Sequence, residues 1–167
     1  MSDIVIPLAL LAVIGGLLYL RRIGRRKAHQ FAAHKSAERR TDRSLDWLGT
    51  ALILNAPAER AAEIVGIAGK KQMARQTAPG RWDLVSGLDS YAASVALSEA
   101  PGGMRLTPTV APDAEGVPQG APWLSFRAAV AKAAAKAGIE TRDDEEVRFQ
   151  PAVGSDGARV WVPADRV

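Results

Sequence analysis

Seventeen consecutive residues near the N-terminus carry neither a charge nor an amide side chain. Ile4 to Leu20 reads IVIPLALLAVIGGLLYL. As a helix it is about 26 Å long, close to the ~30 Å hydrocarbon core of a bilayer. The run ends on RRIGRRK, and the only charge before it is Asp3. A cleaved leader has the opposite order, with positive charge before the apolar run and a small-residue site after it. The pattern therefore predicts a single transmembrane helix over residues 4–20. Pro7 falls in its first turn, where a missing N–H costs little. Tyr19 stands where an interfacial aromatic belongs. Ala9, Ala12, Gly15 and Gly16 line one face, which suits either a helix-dimer seam or a plain anchor.

Charge asymmetry sets the expected orientation. Arg21, Arg22, Arg25, Arg26 and Lys27 follow the run directly, whereas the tail at residues 1–3 has no basic group. Positive-inside then places the tail outside the cell inner (plasma) membrane and residues 45–167 in the cytoplasm, after one pass. The expected partner of residues 4–20 is the bilayer itself. Residues 21–44 are read as a basic juxtamembrane linker attracted to anionic headgroups, at about 1 kcal/mol per basic group near the surface. Residues 44–167 hold 13 basic and 15 acidic groups, so the pI of about 9.8 belongs to the short basic stretch. No nucleic-acid partner is expected. A chain rich in Ala, Arg and Gly and poor in Lys fits a high-GC bacterial genome.

Side-chain chemistry narrows the function classes. There is no cysteine, and the two histidines, His29 and His34, both lie in the basic stretch. Disulfides, thiolate sites and His-based triads are thereby excluded from the domain. No catalytic residue, metal or cofactor is assigned. Asp143, Asp144, Glu145 and Glu146 form the densest carboxylate cluster but lack calcium-loop spacing, and are read as a solvated loop. Gly102-Gly103 has no Lys-Ser/Thr after it and reads as a turn, not a phosphate loop.

The expected fold class is α+β: the transmembrane helix, then a small domain with an antiparallel sheet, one long helix packed on it and a C-terminal hairpin. Residues 47–54 read as a strand. Pro57 opens a helix over 58–69 with Ala61, Ile64, Val65 and Ala68 on one face. Residues 81–85 form a short strand. Pro101-Gly-Gly103 turns 91–97 into 104–110 as a hairpin. Residues 111–122 are loop. Pro122 starts the clearest helix, 123–137, in which Trp123, Phe126, Val130 and Ala137 recur at helical spacing and Gly138 ends the run. Residues 147–151 and 159–162 form the final hairpin around Gly154-Ser-Asp-Gly157.

Two phrases carry a family resemblance. WLGTALILNAPAERAAEIV resembles the opening strand and helix of START-like (helix-grip, polyketide-cyclase and lipid-transfer type) domains. GGMRLTPTVAP followed by WLSFRAAVAKAAAKAG resembles their closing strand and long C-terminal helix. The resemblance spans residues 47–138 and implies a cavity between helix and sheet that holds an apolar ligand or lipid. It makes Trp82, Tyr91, Arg105, Trp123 and Phe126 the cavity candidates, although Trp82, Trp123, Phe126 and Trp161 are read first as core. The expected function is thus a membrane-anchored cytoplasmic domain binding an apolar ligand. The alternative is a membrane-tethered protein-interaction module without a small-molecule site. An enzyme is the weakest reading.

Overall fold

The computed structural model describes residues 38–86, 90–144 and 147–164. Residues 40–167 form one compact unit, and residues 1–39 a second, of which only Glu38 and Arg39 are described. The chain order is a helix α1 at residues 38–49, strand β1 (Ala51–Leu54), helix α2 (Ala58–Lys71), strands β2 (Ala74–Ala78), β3 (Arg81–Ser86), β4 (Ser90–Ala100), β5 (Gly103–Ala114) and β6 (Val117–Pro118), helix α3 (Ala121–Lys136), and strands β7 (Thr141–Asp144), β8 (Phe149–Val153) and β9 (Arg159–Pro163). The main sheet is antiparallel in the order β2-β3-β4-β5-β1-β7, and the β8–β9 hairpin adds to the end of β5.

Register decides which face is the core. Leu52 stands opposite Leu106 and Leu54 opposite Met104, while Val95 faces Pro108 and Trp82 faces Val95. Because strand side chains alternate, these residues share one face of the sheet. Ile64, Val65 and Ala68 of α2 and Trp123, Phe126, Val130 and Ala134 of α3 cover it, and all belong to one cluster of buried residues. Trp123 and Phe126 are its largest fully buried side chains.

Each helix has a local cause. In α2, Pro57 sets the entry, Glu59 stands in the first turn and Lys70 and Lys71 in the last, so the charges oppose the helix dipole. In α3, Pro122 stands at the start, and Gly138 (φ +71°) ends the helix in the left-handed region. The Ile139 amide returns to the Ala134 carbonyl at 2.9 Å, the bond pattern of a Schellman cap. Ile139 also packs on the core.

Several expectations are corrected. The expected fold class placed a transmembrane helix ahead of the domain, yet no helix among the described residues is long and apolar enough to cross a membrane. Residues 4–20, like Arg21, Arg22, Arg25, Arg26, Lys27, His29 and His34, lie outside the described residues. Three helices are described, not two, and both α2 and α3 cover the sheet. The supposed strand 47–54 is divided: residues up to 49 are helical and only Ala51–Leu54 is extended. The helix wins because it buries Ser44 and Leu48, one turn apart, on the same side. The Ser44 hydroxyl donates to the Pro118 carbonyl and accepts from the Gly120 amide at 2.8 Å, and the Trp123 indole donates to the Thr50 carbonyl. These bonds tie α1 to the entry of α3.

The acidic segment is likewise no free loop over its described residues, Thr141–Asp144, while Glu145 and Glu146 lie outside the described residues. Thr141–Asp144 pairs antiparallel with β1 as the sheet's outer strand. Asp143 and Asp144 point to opposite faces, so Asp143 meets Arg127 of α3 and Asp144 meets Arg105 of β5. Residues 111–114 extend β5 instead of starting a loop, and they turn back through β6.

Packing makes unequal demands on the two faces of α3. Phe126→Ala removes a side chain that is 1% exposed and should cost about 3–5 kcal/mol. Lys132→Ala, on an exposed position, should change stability by less than about 0.5 kcal/mol. Urea unfolding of the full chain separates them; equal midpoints would show that the Trp123–Phe126 stripe does not carry the core.

Candidate recognition groove

The residues expected to line a cavity are spread over two faces of the sheet. Trp82, Trp123 and Phe126 are at most 2% exposed and packed within the core. Arg105 stands opposite Ile53, on the face away from α2 and α3, and is ion-paired with Asp144. Tyr91 is placed by its backbone pairing with Val85. Trp82, Trp123 and Arg105 line none of four clefts formed by described residues; Phe126 borders one of them, an open notch of about 310 Å³ where the end of α2 meets the start of α3.

The largest of these clefts lies elsewhere, along the outer seam between α2 and α3. It encloses about 790 Å³ and is open to solvent. Lys71 and Gln72 at the end of α2 border the same notch as Ala121 and Pro122 at the start of α3, so the two helices run antiparallel. From Arg60 to Lys71 the groove is about 17 Å long at the rise of an α-helix.

Its shape follows from the side chains beside each core stripe. On α3, Trp123, Phe126, Val130 and Ala134 face the sheet. The neighbouring stripe is Ser125, Ala128, Ala129 and Ala133, with Lys132 and Lys136 further out. Alanines fill little space between two helices and leave a trough. On α2, Ile64 and Ala68 form the wall, and Ile67 projects beyond it at 43% exposure, one of three large apolar side chains so exposed among the described residues. The rim is cationic. Arg60 bonds Glu63 within α2, while Lys71, Lys132 and Lys136 have no ion pair among the described residues.

No group of three or more His, Cys, Asp or Glu able to hold a metal occurs among the described residues. Asp113, on β5, has a carboxyl whose surroundings alter its acidity. Burial raises its pKa, but the Gly116 amide, the Trp161 indole and the charge of Arg159 outweigh that and hold it below its ordinary value of 3.8. The carboxylate accepts from Gly116 N–H and Trp161 Nε1–H, both at 2.8 Å. It therefore fastens the β8–β9 hairpin to the end of β5, a structural task.

Sequence reasoning missed the groove. Its one visible signal was Ile67, an isoleucine outside the apolar stripe of α2, together with alanines of α3 on positions that the core does not use. Comparison of the chain with family models, curated proteins and solved structures finds no match.

The Asp113 clasp has a definite pH dependence. A carboxylate whose folded pKa is depressed adds stability that is complete above its unfolded pKa and is lost as pH falls through the folded one. The Trp161 indole NMR signal should hold its position down to the ordinary 3.8 and move toward that of a free tryptophan below it. In Asp113→Asn it should show no such step; a step that survives the substitution would remove Asp113 from the clasp.

Proposed function

We propose that the domain is a recognition module for another protein, with the groove between α2 and α3 as its docking surface. The observation that carries this is the groove itself: a long trough floored by alanines, with Ile67 exposed at its edge. An amphipathic helix needs such a trough, because small floor residues let a third backbone come within the 8–10 Å of ordinary helix packing. The groove's length suits about three helical turns. A START-like apolar-ligand site between α3 and the sheet gets less support, since Trp82, Trp123 and Phe126 are packed there against α2, β1 and β5 residues in a single core. On this reading the basic run at residues 21–27 draws the module to an anionic membrane surface, where its partner would also be met.

Site-specific photocrosslinking in cells tests the proposal. A photoreactive residue at position 67 or 129 should trap one discrete protein. The same residue at Val153, more solvent-accessible than either but on the β8–β9 hairpin, should not. The same products from 67 and 153, or none from 67 and 129, would count against the groove.

A further inference from the structure

We infer that the helix accepted by the groove is acidic along its flanks, an inference that rests on the docking role proposed above. The charge arrangement carries it. Lys132 and Lys136 are one turn apart on α3, and Lys71 stands at the end of α2 beside the same cleft. All three are exposed, and none is ion-paired among the described residues. The remaining rim charges, Arg60 and Glu63, satisfy each other. The groove therefore presents an apolar floor between two helices with a net positive rim.

Spacing adds specificity to sign. Lys132 and Lys136 repeat at i, i+4, so they form a row parallel to the groove. A helix lying in the trough presents its own i, i+4 row to each rim. Glu or Asp at that interval can meet both lysines of α3, while residues on its other flank approach Lys71. Leu, Ile or Met between the two rows would fill the space over Ala129 and Ala133. An occupant with Lys or Arg in those rows would set like charges side by side and be rejected, which is how rim charges act on partner choice.

Two synthetic peptides test this against the full chain. Both are amphipathic helices of about 14 residues, the length of α2, with Leu on one face; one has Glu on its flanks and the other Lys. Fluorescence anisotropy at low salt should show the Glu-flanked peptide binding about tenfold tighter, with the preference fading as salt rises. K132E/K136E should reverse the preference. Both positions are exposed, so the variant should keep the wild-type melting curve. Equal binding of the two peptides, with both displaced by Ile67→Asp, would overturn the acidic occupant and leave the docking groove standing. Binding of neither peptide would overturn both. Phosphatidylglycerol vesicles are the third probe: if K132E/K136E weakens their binding beyond what the basic run at residues 21–27 sustains, while the peptides show no preference, the cations serve a lipid surface and the inference fails.

Discussion

The structure depends on where β1 is placed. Ala51, Leu52, Ile53 and Leu54 are all at most 2% exposed, because the strand is inserted between β5 and β7. Leu52 and Leu54 face the helices, while Ile53 lies on the opposite face between Arg105 and Arg142 in the register. The β4–β5 turn must pass very close to this strand. A Cβ at Gly103 would lie 2.1 Å from the Leu54 carbonyl oxygen, and the glycine's φ of +139° is one that side chains rarely adopt. Glycine is therefore required there by both space and conformation. With the turn fixed, β5 stays in register along β1, and the large residues of α3 meet Leu52, Leu54 and Leu106.

On either side of that strand, charge does what apolar surface cannot. The short outer strand β7 has no large apolar side chain with which to bury itself. It is instead held by backbone pairing and by two ion pairs, Arg127 with Asp143 and Arg105 with Asp144, one on each face of the sheet. Charged side chains on an outer strand also discourage pairing with a further chain. On the helical side the economy is different. Trp123 and Phe126 fill the space above the sheet, and alanines occupy much of the rest of α3. Because those alanines fill little space beside the core stripe, the seam between α2 and α3 stays open as a groove.

The legible parts of the chain were those in which one local signal dominated. Pro122, the Trp123–Phe126–Val130 spacing and Gly138 marked α3 to within two residues of Ala121–Lys136. Gly102-Gly103 marked the β4–β5 turn, and Gly154 to Gly157 the β8–β9 hairpin. The illegible parts were those decided by distant partners. WLGTALIL suits a strand or a helix equally well until Ser44 bonds Pro118 and Gly120, over seventy residues away. Asp143 and Asp144 look like part of a solvated run until Arg127 and Arg105 come to meet them. β2 is a polar outer strand whose exposure leaves no hydrophobic alternation to detect. The groove depends on the pairing of two helices that the sequence separates by five strands, and no spacing within either helix shows it.

The central claim is that the domain receives apolar groups on the outer seam of α2 and α3 and not between α3 and the sheet. An anionic apolar probe, 8-anilinonaphthalene-1-sulfonate, followed by NMR on the full chain with labelled methyl and indole groups, tests it most directly. The account predicts saturable shifts at Ile67, Ala129 and Ala133, with the indole signals of Trp82 and Trp123 unmoved. Shifts centred on Trp82, Trp123 and Val130, with Ile67 unchanged, would contradict it and restore an internal cavity.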